Sequence, residues 1–331
     1  MLKKKGQKSK KVESRSNKVE SLKKKRIFIT VDVLLILMMV LPIVGAIILK
    51  VLTTPLSDGI NITGARIFFT IPMPLQDLPI TESQINSFAV LISIFGLCLY
   101  MTHGIKVKAE TKRQRIAEWI VEKVEGMVNE SMGEYFRGFA PFITSILALS
   151  AFSSLLSLFG LYPPTSDINI VAGWAILVFG LITYYKFKGG PAKYFKGFLE
   201  PVAFLAPMNV ISEIATPLSM SFRHYGNVLS GTVISALLAS ALQGLSRMVL
   251  GWLPGVLGEI PFLQIGIPAV MSIYFDVFSG CLQAYIFAML TMMYVAGGFP
   301  YEDYLLRKEK RDKKRQEKNN KRKINNDMEV I

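Results

Sequence analysis

Six apolar runs, at about 27–50, 84–105, 138–160, 169–186, 201–250 and 264–297, constrain this chain more than any other feature. A helix rises 1.5 Å per residue, so about 20 apolar residues cross the roughly 30 Å hydrocarbon core of a bilayer. Six runs of this length exceed what a soluble core absorbs. They predict an all-α polytopic membrane protein of about six helices, because only structures that satisfy their own backbone groups survive in lipid. The run at 201–250 is longer than one perpendicular crossing. It contains Pro201, Pro207 and Pro217, so it is expected to be strongly tilted, broken, or re-entrant at its start. The last two runs are expected to pair as a long hairpin.

Charge supports this layout. The chain is 51% hydrophobic with a mean hydropathy of +0.39, yet carries a formal charge of +14. Segments 1–26, 106–137, 186–200 and 301–331 hold 34 of its 38 Lys and Arg, and they alternate with basic-poor connections at 51–83, 161–168 and 251–263. By the positive-inside rule both termini face the cytoplasm. The basic tails flank membrane helices, so anionic lipid heads are their expected contact, not nucleic acid. The organisation expected is a basic cytoplasmic tail at 1–26, a membrane domain at 27–298 and a second basic tail at 299–331. The run from Ile27 is too long for a signal peptide and reads as a retained anchor, with Asp32 near the headgroups. Segment 51–83 reads as an ordered loop. Segment 111–132 has apolar residues at 116, 120, 124, 127 and 128 against a charged face, the pattern of an interfacial helix. Cys98 and Cys281 fall within predicted helices and are expected to be buried free thiols. No metal-ligand spacing, phosphate loop or nucleophile–base pair occurs, so no cofactor, metal or catalytic residue is expected.

Within the fifth run lies Arg223. An arginine at the centre of a spanning helix costs roughly 2.5–3.5 kcal/mol on insertion scales, so it marks a partner or a water path. Glu213, Ser219, His224, Asn227 and Ser230 surround it in sequence. Asn227 and Ser230 lie one and two turns beyond Arg223 on the same face, and Gly226 and Gly231 permit close approach of another helix. On the last run, Asp276 and Gln283 are seven residues apart and share a face with Ser272, Ser279 and Gly280. A lone carboxylate in lipid is either a proton relay or the partner of a cation. For Arg223 and Glu213 a mutual salt bridge is the competing structural reading, and for Gln283 a helix–helix hydrogen bond.

The stretch E-I-A-x-P-L-S-x-S-x-R-x-x-G-N at 213–227 resembles the arginine-bearing helix of subunit a of F-type ATP synthases. FDVFSGCLQAYIFAMLTMMYV at 275–295 is similar to that family's last helix, and GLYPPTSDIN at 160–169 to its G-L-x-P-x-x-x-D loop. The three lie in the family's order, and the resemblance covers roughly 84–298. It implies an ion-translocating, non-catalytic stator subunit of a bacterial cell-membrane complex. Two half-channels would reach a ring of c subunits, with Arg223 separating them and facing the ring carboxylate. Subunit b would be a second partner, packing against the first helices and segment 111–132. The resemblance places Asn227 and Gln283 beside the arginine, Asp276 in the outward-facing path and Glu213 in the cytoplasmic one, with Ser212 and Asn209 wetted nearby.

The chain also departs from that pattern. Thr232 stands where many relatives carry histidine or glutamate, so the outer path is expected to lean on Asp276, Glu259 or water. His224 replaces a usual leucine, points about 100° away from Arg223, and is expected to pack rather than relay. The translocated ion, H⁺ or Na⁺, stays open. So do two other classes at the level of residues alone: a secondary transporter of an anionic solute, and a non-conducting scaffold. No internal repeat favours the transporter.

Overall fold

In the computed structural model, the residues described are 2–53, 64–74, 76–107, 111–188, 190–199, 203–251, 266, 270–271, 273–302, 304–311 and 313, with side chains described from residue 22 onward except at 193 and 203. Six helical spans among them are long and apolar enough to cross a membrane: Leu22–Thr53, Glu82–Thr102, Glu134–Phe159, Ile168–Lys188, Ala206–Leu250 and Ile273–Gly297. The fold is that of an all-α polytopic membrane protein. The chain divides into two compact units, Met1–Lys123 with Ala151–Pro164, and Val124–Ser150 with Thr165–Ile331.

In the first unit, α1 (Leu2–Thr53) packs along α2 (Glu82–Thr102). The close approach is made by Gly96, where a Cβ would stand 3.1 Å from the Met39 amide nitrogen, and Ser93 Oγ donates to the Met39 carbonyl at 2.7 Å. At one end of this helix pair Asp32 Oδ1 meets His103 Nδ1 at 2.9 Å and Arg113 Nη1 at 3.0 Å. Arg113 also donates to the His103 carbonyl, and its guanidinium lies 4.6 Å from the Tyr100 ring centre. Gly104, at φ +77°, turns the chain here against Phe28, which stacks on His103 at 4.4 Å. At the other end Lys50 pairs with Glu82 at 3.5 Å, and Asn86 Nδ2 donates to the Tyr162 carbonyl at 2.8 Å. The segment read as an ordered loop contains a small antiparallel hairpin, β1 (Ile67–Ile71) with β2 (Leu78–Thr81). The β-branched and aromatic run IFFTI explains it, and the strand feeds directly into α2, where Thr81 N–H donates to Gln84 Oε1 at 3.3 Å.

The helix expected at 111–132 is α3 (Lys112–Met132), whose residues divide between the two units after Lys123. Its inward stripe, Val124, Val128 and Met132, begins the second unit's core. That core continues through Phe136, then Ala140 and Ile143 of α4 (Ala140–Leu155) and Val178 and Ile182 of α5 (Ile168–Lys188). It closes on Met220 of α7 (Ala206–Leu250) and on Phe287, Met292 and Val295 of α8 (Gly280–Gly297). A short helix, α6 (Pro191–Gly197), follows α5. Cys98 and Cys281 are exposed on their helices rather than buried, so they face whatever surrounds the chain.

Helix α7 is one continuous helix of 45 residues. At 1.5 Å per residue it is about 68 Å long, more than twice the hydrocarbon thickness, so it fits a bilayer only at a steep tilt. Pro217 lies inside it without breaking it. The proline withholds the amide hydrogen that would meet the carbonyl of residue 213, and Ser221 Oγ donates to the Pro217 carbonyl at 2.9 Å.

Candidate functional site: the α7–α8 pair and its vestibule

Helix α8 is preceded by a π-helical segment, Ile273–Ser279, and together they run antiparallel to α7. The direction follows from two contacts: Asn227 meets Gln283, while Gly231, one turn later on α7, meets Phe275, two turns earlier on the facing helix. Gly231 is what lets them close, because its Cβ position lies 3.4 Å from the Phe275 side chain. Asp276 sits half-buried inside the π-helical segment. Such segments are rare and are frequently found at functional sites. The sequence signalled a continuous α-helix there; the wider π turn is a backbone adjustment that hydropathy does not report.

Asn227 Nδ2 donates to Gln283 Oε1 at 2.5 Å, and Gln283 is 2% exposed. Ser230 Oγ donates to the Asn227 carbonyl at 3.1 Å, and Thr232 Oγ1 to the Val228 carbonyl at 2.9 Å, so both hydroxyls turn back onto their own helix. His224 is fully buried. Its Nε2 lies 3.2 Å from Ser150 Oγ, and its ring meets Trp174 and Phe287 edge-on at 6.0 and 5.4 Å. Its Nδ1 has no hydrogen-bond partner among the described residues.

Arg223, the residue before it, is exposed. No hydrogen bond or ion pair holds its guanidinium among the described residues. The Glu213 carboxylate, the expected structural partner, is engaged elsewhere: Lys186 Nζ, at the end of α5, donates to both of its oxygens at 2.7 Å. Tyr194 Oη of α6 donates to the same carboxylate at 3.5 Å. Burial, and then the adjacent carboxylate, raise the Tyr194 phenol above its ordinary range and keep it protonated.

These groups line an open cavity of about 510 Å³ that also takes in Asn209, Ser212 and Thr216. Asn209 Nδ2 donates to the Phe198 carbonyl at 2.9 Å, tying the start of α7 to the chain after α6. Gly190 of the lining stands at φ +120°, a backbone conformation that favours glycine, and the Arg307 guanidinium lies against it. Of the residues singled out in the sequence, Glu213, Ser212 and Asn209 line this cavity; Lys186, which reads as one more basic residue at a helix end, was not among them. Glu259 and Ser272 lie outside the described residues.

An arginine held clear of internal partners, an amide pair with its glutamine buried across two antiparallel membrane helices, and a polar vestibule at one end of them define a membrane protein built to handle charge inside the bilayer. The chain belongs to the ATP synthase A chain family, whose sequence profile matches residues 84–296. It is 28% identical over 223 residues to an ATP synthase subunit a of Legionella pneumophila, covering 67% of this chain and 87% of that one. It is 31% identical to ATP synthase subunit a of Priestia megaterium, covering 67% and 94%. It is 26% identical to the sodium ion specific ATP synthase subunit a of Propionigenium modestum, covering 74% and 88%.

Proposed function

We propose that this chain is the ion-translocating stator subunit of an F-type ATP synthase in a bacterial cell membrane, with Arg223 dividing two half-channels. The observation that carries the reading is the contrast along α7. His224, Asn227 and Glu213 all find partners within the chain, whereas Arg223 is exposed with none among the described residues. A guanidinium left free on a membrane helix needs a partner from outside. The carboxylate of a c-ring subunit is the partner this family supplies. Facing it, a fixed cation favours the ionised carboxylate and so ion release, and it blocks direct passage between the half-channels.

The vestibule around Glu213 is then the cytoplasmic half-channel. Its rim is formed by the ends of α5 and α8, beside the basic segments that positive-inside counting puts in the cytoplasm, and both termini lie on that side. The outward-facing path follows the π-helical segment and Asp276. Subunit b packs against α1–α3, and the basic tails contact anionic lipid heads. The subunit performs no nucleotide chemistry; it supplies the ion path that turns the ring.

Replacing Arg223 with alanine in an assembled complex tests this. Gradient-driven ATP synthesis is expected to disappear with assembly intact. Near-normal synthesis would leave Arg223 as a structural cation and overturn the reading.

A further inference from the structure

Glu213 is the one carboxylate among the described residues lining the vestibule, and both of its oxygens are taken by Lys186 Nζ at 2.7 Å. The pair is neither a surface contact nor fully enclosed. The Lys186 and Glu213 side chains are 28% and 17% exposed, so the ammonium has room to swing into the open cavity. Among the described residues the lining also offers neutral polar groups: the amide of Asn209, the hydroxyls of Ser212 and Thr216, and Tyr194 Oη, which donates to the same carboxylate. A second, smaller cavity of about 230 Å³ also reaches Lys186 and Glu213, bordered by Tyr294 and Gly297, so both cavities border the pair.

We infer that Lys186 is a tethered cation that competes with the translocated cation for the Glu213 carboxylate, and so sets the ion concentration at which this half-channel fills. This rests on the reading of the vestibule as an ion path. A monovalent cation crossing between c ring and cytoplasm meets the carboxylate already neutralised by an ammonium. It proceeds once Lys186 swings aside, and the ammonium closes again behind it. No bond is made or broken other than the ion pair and its hydrogen bonds. Lys186 is thus a positioning residue, acting through Glu213, and the class of ion it competes with is a proton or an alkali cation.

The test uses the complete complex in sealed vesicles, with ATP-driven uptake followed against Na⁺ at fixed pH and against pH at fixed Na⁺. K186M and K186Q are expected to lower the half-saturating concentration about two- to five-fold, the span of a partly exposed ion pair. That shift should appear on whichever axis drives transport, with the maximal rate nearly unchanged. K186R should match the parent chain, and in an E213Q background the effect of K186M should vanish. A purely structural pair would lower the maximal rate or the yield of assembled complex without moving half-saturation. An unmoved half-saturating concentration therefore overturns the inference. So does failure of both K186M and K186Q to assemble while K186R assembles, since the pair is then a strut. R223A in the same vesicles separates the two readings. If its transport survives, the ion-path reading falls and this inference with it. If its transport is lost while K186M behaves like the parent chain, only the tethered-cation inference falls.

Discussion

Asn227 and Gln283, 56 residues apart in sequence, share a hydrogen bond of 2.5 Å across the two antiparallel helices that carry the candidate ion path. Gln283 is 2% exposed, so its amide has little water to fall back on. The bond lies one helical turn beyond Arg223 and fixes the register in which α7 meets α8.

Breaking that bond from one side should cost more than removing it from both. N227L leaves a buried acceptor unpaired, at about 1–3 kcal/mol, whereas N227L with Q283L replaces both partners by apolar groups. Thermal unfolding in detergent should show the double variant less destabilised than the sum of the two single ones. The coupling should be about 0.6–1.7 kcal/mol, as for hydrogen bonds between membrane helices. Additive losses would mean that the pair contributes nothing to the helix contact.

His224 packs against Trp174 and Phe287 with one ring nitrogen unpartnered among the described residues. H224L keeps most of the volume and removes both the unpartnered Nδ1 and the Nε2 that meets Ser150 Oγ, so stability and ion-driven synthesis should stay within about 1.5 kcal/mol of the parent chain, the net contribution of one hydrogen bond. H224A opens a cavity in the contact between α7 and α8 and should cost about 2–5 kcal/mol. If H224L abolished transport while the complex assembled normally, the imidazole would be a relay and not a packing group.

Gly231 holds the Phe275 side chain at the edge of ordinary contact, with its Cβ position 3.4 Å away. G231A should assemble and transport nearly normally, while G231L should push the π-helical segment away from α7. Cysteine pairs placed across this contact would read the separation. Crosslinking efficiency is expected to hold in G231A and to fall sharply in G231L.

In the first unit, where the end of α2 meets α1, Arg113 joins Asp32, the His103 carbonyl and the Tyr100 ring. A lysine cannot reproduce this planar, forked arrangement, so R113K should destabilise the first unit by about 1 kcal/mol. G104A should cost more. Its backbone stands at φ +77°, and its added methyl would sit 2.6 Å from the Phe28 ring. Amide hydrogen exchange over α1 and the end of α2 should speed up in both variants, and unchanged exchange would show that the network does not hold α1.

The spanning helices were legible because hydropathy sums over a local window. The runs at 84–105 and 169–186 correspond to Glu82–Thr102 and Ile168–Lys188 within a few residues. The stripe at 111–132 corresponds to Lys112–Met132 for the same reason. Where composition misled, the backbone had absorbed the irregularity. Pro217 suggested a break, but α7 runs through it, because losing one amide hydrogen bond is tolerable in a helix that packs on α5 and α8. The β1–β2 hairpin lay hidden in a segment whose prolines and polar residues read as loop.

The candidate site divides along the same line. By itself the sequence determined that charge must be handled inside the membrane: an arginine, the carboxylates Glu213 and Asp276 and the amides Asn227 and Gln283 stand in apolar runs, and the cost of each is a property of the residue and its depth. Only the tertiary structure decided who answers whom. Glu213 could pair with Arg223 on its own helix or with a cation on another, and it is Lys186 of α5 that reaches it. Arg223 and His224 are adjacent in sequence, yet one is exposed and the other fully buried. Those outcomes depend on how far each helix is rotated and where it crosses its neighbours. Side-chain packing across helices sets that rotation, and no window along a single chain segment contains it.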